Sequence, residues 1–262
     1  MRHVWWRTHL RALPELGALA RFGDFAEVDG FVPYLIGALD LPAGGTLVEL
    51  GCGRGSFLVR VAEWGYQVTG VEDSEPMLAE ARLAAARRGI TVALRTGSRI
   101  TLAERNHFDG AVILDYGTLS DSENAEQLRC TVAALRPGGR MAFSCCNPHY
   151  WARPAEMEHR IVEGVDVLRR WGFDFDGGAV TSRVRCIFPD GRRQELAPAR
   201  YRAYTLPELR TLIAAVGLAD LAMCGEDAQG NPLPGRRPEP LQTPFFHCVA
   251  LKPAGGEGGE GI

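Results

Sequence analysis

The chain has 262 residues, of which 46% are hydrophobic and 23% charged. That is close to average globular usage, so wholesale disorder is excluded and one large α/β domain, or one domain with an insertion, is expected. Acidic residues outnumber basic ones, 32 to 29, and the net charge of −3 gives no general footprint for a polyanion. No apolar run is long enough to span a bilayer, and no secretory leader pattern is present. A cytoplasmic protein with neither membrane nor nucleic-acid partners is therefore expected. Seven dispersed cysteines, at 52, 130, 145, 146, 186, 224 and 248, are odd in number and form no CxxC pair. They fit reduced thiols better than a disulfide framework or a zinc site.

In chain order, Asp24 and Glu27 resemble a capping box for a helix whose apolar face carries Val28, Phe31, Val32, Leu35, Ile36 and Leu39. A break at 41–45 precedes a short apolar strand at 46–50. A helix over 56–64 stops at Gly65, a second strand covers 67–71, and Ser74 caps a helix with Pro76 in its first turn. Strands are expected at 90–95 and 110–114, a helix at 122–136 ended by Pro137-Gly138-Gly139, and a strand at 140–144. Apolar strands alternating with helices predict a parallel sheet covered on both faces.

The rhythm changes after residue 147. Segments 179–188 and 192–204 flank the turn Pro189-Asp190-Gly191 and read as an antiparallel hairpin. The α/β pattern resumes with a helix opening at Thr205-Leu206-Pro207-Glu208, then strands at 218–224 and 245–251. These boundaries divide the chain into an N-terminal lid segment (1–25), an α/β core (26–147 and 204–252), an insertion (148–203) and a disordered Gly/Glu-rich tail (253–262).

Val48-Glu49-Leu50-Gly51-Cys52-Gly53-Arg54-Gly55 lies between a strand and a helix. Glycines there allow a sharp turn and close approach to a ligand, and a helix N-terminus favours an anionic group. Their spacing departs from the dinucleotide fingerprint, which would place its third glycine at Ser56, and no P-loop lysine follows. Glu72 stands at the end of the second strand, where a carboxylate can accept both hydroxyl protons of a ribose. Asp73 adjoins it.

Three segments together resemble the class I S-adenosylmethionine-dependent methyltransferases: the glycine loop just quoted, Gly70-Val71-Glu72-Asp73-Ser74-Glu75-Pro76-Met77-Leu78, and Leu135-Arg136-Pro137-Gly138-Gly139-Arg140. Tyr204-Thr205-Leu206-Pro207-Glu208-Leu209 is similar to a subgroup acting on small molecules, amine and amino-sugar N-methyltransferases among them. The resemblance implies a Rossmann-like fold with a seven-stranded, mostly parallel sheet and an antiparallel last strand, here with a small antiparallel β insertion. It also implies S-adenosylmethionine as cofactor, leaving as S-adenosylhomocysteine. Glu49, Gly51, Cys52, Gly53 and Gly55 would lie beside its methionine part, Glu72 and Asp73 at the ribose, and Leu114 to Gly117 beside the sulfonium. Where family members often carry an acid for the adenine amino group, this chain has Ser98, a weaker acceptor. Arg54 could pair with the cofactor carboxylate or stand as a solvated surface arginine.

Asn147-Pro148-His149-Tyr150 looks like the motif that grips a flipped base, yet it follows the fifth strand rather than the fourth. With the acidic net charge, that favours a small-molecule acceptor, foremost an amine. A neutral amine needs no base, whereas a hydroxyl benefits from one. The residues nearest that chemistry are His149, Asp115 and Tyr116, with His159, Glu156 and Glu158 as further candidate bases. Trp5, Trp6, Tyr150, Trp151, Tyr201 and Tyr204 could form an aromatic lid over the acceptor. No metal is required. O-methylation and a non-catalytic cofactor-binding regulator are the alternatives. Lid segments of this kind can be completed by a second subunit, so a homodimer is compatible with the sequence.

Overall fold

The computed structural model describes residues 31–98, 100–114, 116–118, 120–154, 157–162, 164–225, 232–233 and 241–254. The expected cap at Asp24 and Glu27, the lid segment with Trp5 and Trp6, and most of the tail lie outside the described residues.

The elements of the first half are α1 (Phe31–Leu39), β1 (Thr46–Leu50), α2 (Ser56–Glu63), β2 (Gln67–Glu72), α3 (Glu75–Arg87), β3 (Ala93–Thr96), β4 (Phe108–Ile113), α4 (Asp121–Ala134) and β5 (Leu135–Cys146). The single turn α5 (Pro148–Trp151) then leads to β6 (Met157–Val162), β7 (Val165–Asp174), β8 (Ala179–Ile187), β9 (Arg193–Glu195) and β10 (Ala199–Arg202). The described chain closes with α6 (Leu206–Ala215), β11 (Ala219–Cys224) and β12 (Phe245–Leu251).

Among the described residues, a seven-stranded sheet has the order β11-β12-β5-β4-β1-β2-β3. Pairings among β1 to β5 are parallel, and β12 runs antiparallel to both neighbours. The central strands β1 and β4 are buried almost throughout, because helices cover both faces. Leu47, Val112, Ala142 and Val249 pack beneath α1 and α2. Val48, Ala111, Ile113, Met141 and Phe143 point the other way, beneath α4 and α6. Strand alternation alone makes that division. Close helix–sheet approach explains Gly70: a Cβ there would lie 2.7 Å from Cys52 Sγ and 2.8 Å from Leu58 Cδ2.

The insertion is larger than the expected hairpin. It is a five-stranded antiparallel sheet in which β10, β8, β7 and β6 lie side by side and β9 pairs with β8. The expected strand over 192–204 is split into β9 and β10 at Leu196–Pro198, where proline can donate nothing to a ladder. On β7, Val165, Val167 and Trp171 are buried at every second position, and so is Arg169 between them. An arginine at an inward position breaks the apolar alternation that would have marked the strand.

The inner face of this sheet packs Trp171, Val180, Val184, Cys186 and Tyr201 against Met77, Cys146, Trp151 and Phe245 at one edge of the main sheet. Backbone bonds sew the two sheets together. Arg202 donates to the Gly117 carbonyl at 2.7 Å, and Tyr204 donates to the Cys146 carbonyl at 3.2 Å. All seven cysteines are reduced and buried. No helix among the described residues is long and apolar enough to cross a membrane.

Lys252, the only lysine, joins the C-terminal end of α4 to β12. Its ammonium donates to the carbonyls of Val132 and Leu135, at 2.9 and 2.6 Å, and to Asn106 Oδ1 at 2.9 Å. A cation at a helix C-terminus also complements the helix dipole. Replacing Lys252 by Met should lower the unfolding free energy by about 1 kcal/mol or more, read from urea melts; unchanged stability would discount this bond set.

Candidate active site

Because β1 to β5 are parallel, their C-terminal ends share one edge, and the order reverses between β1 and β4. Open α/β sheets hold ligands at such a reversal. The ends of β1 and β2 bring Gly51–Gly55 and Glu72 together, and the ends of β4 and β5 bring Leu114, Tyr116, Gly117 and Asn147 alongside.

Glu72 organises the first half of this edge. Its side chain is fully buried. Oε2 accepts the Gly53 N–H at 2.9 Å, and Oε1 accepts the N–H groups of Asp73 and Ser74, both at 3.1 Å. A carboxylate offers about four acceptor directions, so one oxygen can hold loop amides while the pair still faces a ligand's hydroxyls. The loop is further tied to β2 by the N–H groups of Gly51 and Cys52, which both donate to the Val71 carbonyl.

The glycines serve different ends. Gly51, Gly53 and Gly55 all have positive φ, at 78°, 54° and 75°. At Gly55 a Cβ would sit 3.0 Å from Ala81 Cβ, so this glycine lets α2 start against α3. At Gly53 a Cβ would meet nothing within 4 Å. Open space before a loop whose amide is anchored to a buried carboxylate is a cradle, and it suits the cofactor that the sequence resemblance implies.

The remaining cofactor-side residues fall in differing places. Glu49 is 1% exposed, at the penultimate position of β1. Cys52 turns its sulfur onto Gly70, toward the sheet interior, so only its backbone can serve a ligand. Asp73 is exposed beside Glu72. Ser98 is exposed too, and its Oγ accepts the Ile100 N–H at 3.4 Å, a local turn bond. Arg54 pairs with Glu80 on α3 at 3.3 Å. Leu114 is buried. Gly117 is held by the insertion: its φ is 98°, and a Cβ would lie 2.5 Å from the Arg202 carbonyl oxygen.

The acceptor side departs further from expectation. Asp115 and Glu156 lie outside the described residues. Tyr116 is buried beneath α4, its hydroxyl donating to the Asn124 carbonyl at 3.2 Å, and its ring stacks on Tyr204 at 5.4 Å. Burial, with Tyr204 next to it, pushes the Tyr116 phenol well above its ordinary range; burial pushes Tyr204 up to about 12. Both stay protonated at neutral pH, and Tyr116 packs in the core beside α4. Tyr150, Trp151 and Tyr201 are buried between the two sheets, with Trp151 and Trp171 centroids 4.6 Å apart. Tyr204 belongs with Tyr116 in the core.

His149 sits on α5 at this edge with its side chain exposed. His159 is also exposed, bonded to Asp166 at 2.6 Å on the far face of the insertion. Asn147 is fully engaged: Oδ1 accepts the His149 N–H at 3.0 Å, and Nδ2 donates to the Thr243 carbonyl at 2.6 Å. It caps a helical turn and anchors a loop, which removes it as a base-gripping side chain. A residue that the sequence reading passed over, His247, is buried on β12 with Nδ1 2.8 Å from Ser144 Oγ. Only the sheet register, which places them opposite each other, brings this pair into view.

Residues 47–139 match the family described as a methyltransferase domain. Among curated proteins, the 23S rRNA (uracil(1939)-C(5))-methyltransferase RlmD of Alkalilimnicola ehrlichii is 33% identical over 163 residues, 57% of this chain and 35% of that protein. The chain spans about a third to a half of the length of the curated relatives it matches. Among solved structures, the CcbJ methyltransferase from Streptomyces caelestis has a TM-score of 0.70 at 22% identity, covering 86% of this chain and 90% of that one. The sugar N-methyltransferase KedS8 from Streptoalloteichus has a TM-score of 0.63 at 18% identity, covering 91% and 92%. At these identities the solved structures establish the fold.

Glu72→Gln tests the anchor. An amide nitrogen would face backbone N–H groups, so unfolding free energy should fall by about 1–3 kcal/mol in urea melts. A variant as stable as the parent would show that the loop does not depend on this carboxylate.

Proposed function

We propose that this chain, which carries a methyltransferase domain of the class I, Rossmann-like type, moves a methyl group from S-adenosylmethionine to a small-molecule acceptor, foremost an amine. The observation that carries this reading is the buried Glu72 carboxylate tying down a glycine loop beside open space at Gly53. S-adenosylmethionine, when bound, supplies an electrophilic methyl group on a sulfonium. Glu72 would take the ribose hydroxyls and the Gly51–Gly55 backbone the amino-acid part, with Leu114 to Gly117 bounding the reacting side. The protein's contribution is then alignment and exclusion of water, both strong levers for an in-line displacement. The insertion sheet supplies the exclusion, because its aromatic inner face seals the edge of the main sheet.

An amine acceptor suits the surroundings. Once neutral it needs no base, and the two tyrosines nearest β4 are held protonated. His149 is the side chain placed to serve a hydroxyl acceptor at the opening of the site. The likeness in fold to a sugar N-methyltransferase agrees with the amine reading. An RNA acceptor is a second reading, favoured by the relative named for 23S rRNA. Against it stand the net charge of −3 and the engagement of Asn147.

The cofactor is tested by calorimetric titration with S-adenosylhomocysteine. The parent should bind. Gly53→Asn, a residue that tolerates the left-handed φ of 54° there, should fold yet lose affinity by about tenfold or more, because its side chain enters the cradle. Affinity unchanged in both Gly53→Asn and Glu72→Ala would sink the assignment. Acceptor class follows from labelled-methyl transfer to amino sugars, other amines, phenols and ribosomal RNA. Transfer to amines supports the leading reading, and transfer to RNA alone overturns it. Binding without transfer to any acceptor would favour a non-catalytic regulator.

A further inference from the structure

The outer face of the insertion sheet, turned away from the methyl-transfer edge, carries a groove of about 560 Å³. That volume lies within the usual range for small-ligand sites. Strand alternation separates its side chains from the aromatic inner face. Leu168, Arg170, Arg183 and Arg185 point outward, while Val167, Trp171, Val184 and Cys186 point inward. Met157, 71% exposed, lies opposite Arg170 on β6, and Pro198 closes the other end. The floor is apolar and the wall is cationic.

The charges on this face are not balanced. Arg185 is paired with Glu195 at 2.5 Å, and Asp166 is taken by His159. Arg170 and Arg183 stand directly opposite each other across β7 and β8. Both are exposed, and neither makes an ion pair or hydrogen bond among the described residues. Like charges in direct cross-strand register are destabilising. This pair occurs in a chain whose overall charge is negative, at the wall of a preformed groove. A carboxylate or phosphate placed between two guanidinium groups would turn that repulsion into charge-assisted hydrogen bonds.

We propose that this groove binds a small anion with an apolar body, its carboxylate or phosphate head between Arg170 and Arg183 and its hydrocarbon part on Met157, Leu168 and Pro198. The site is separate from the methyl-transfer edge and does not depend on the identity of the acceptor.

The test uses the full chain and the fluorescent probe 8-anilinonaphthalene-1-sulfonate, with octanoate, octyl phosphate and the uncharged octyl glucoside as competitors. The probe should bind saturably. Octanoate or octyl phosphate should displace it, the tighter of the two identifying the head group, and octyl glucoside should not. Arg170→Ala/Arg183→Ala should weaken probe binding by about tenfold or more. Its affinity for S-adenosylhomocysteine should stay that of the parent. The Arg183→Glu variant, which gives Arg170 a partner, should melt higher than the parent and lose the displaceable binding, so it keeps the test decisive if the double variant folds poorly. Probe binding unaffected by either variant, or displaced equally by octyl glucoside, overturns the proposal. So does a parent dimer that becomes monomeric in the double variant by analytical ultracentrifugation, since the face would then be a subunit interface.

Discussion

The Glu72 carboxylate is buried, and an ionised carboxylate away from water is tolerated only when hydrogen bonds replace its hydration. Three backbone amides do that here, one from the glycine loop and two from the approach to α3. The requirement acts in both directions. The amides satisfy the charge, and the charge fixes where the amides can be. The loop after β1 is thereby held to the end of β2, which sets the start of α2 and the close contact of Gly55 with Ala81 on α3. The open space at Gly53 is a consequence of that anchoring. The proposed cofactor site rests on one buried carboxylate and the chain reversals that serve it.

The second organising feature is the seam between the sheets. It combines backbone bonds, Arg202 to Gly117 and Tyr204 to Cys146, with an aromatic cluster around Trp151 and Trp171. Gly117 sits where the seam is tightest, since its position against the Arg202 carbonyl leaves no room for a side chain. The insertion thus meets the end of β4 directly. The same strands that pack aromatic residues against the main sheet on one face carry Arg170 and Arg183 exposed on the other, so the antiparallel sheet has two chemically opposed surfaces.

Much of the core was legible because its signals are local. Apolar runs, glycine stops and capping residues placed most elements of the main sheet to within a few residues, although β5 begins at Leu135 and takes in the Pro137-Gly138-Gly139 turn expected to precede it; Thr205 with Glu208 forms a capping box at the start of α6. The glycine loop and Glu72 were legible because close approach and strand-end position need particular residue types. The β6–β7 hairpin was not, because Arg169 occupies an inward position where periodicity asks for an apolar residue. Tyr116 lies beyond the end of β4, in a turn, and its ring is buried against Phe143 and Tyr204, contacts that its place in the sequence does not reveal. The position of Asn147 after the fifth strand already set the base-gripping motif aside, but only the structure shows its bonds to Thr243 and His149, nearly a hundred positions and two positions away.

By itself the sequence determined the alternation of strands and helices, the glycine loop, and the acid at the end of β2, since each depends on residues near one another in the chain. Tertiary structure decided which of those residues share an edge, that Glu72 holds the loop as well as facing it, and that Tyr116 and Tyr204 stack as neutral phenols. It also decided that Arg170 and Arg183 face each other across a groove. The physical reason is common to all of these. Burial, cross-strand register and the sign of a neighbouring charge are properties of pairs brought together by folding, and no local pattern encodes the pairing.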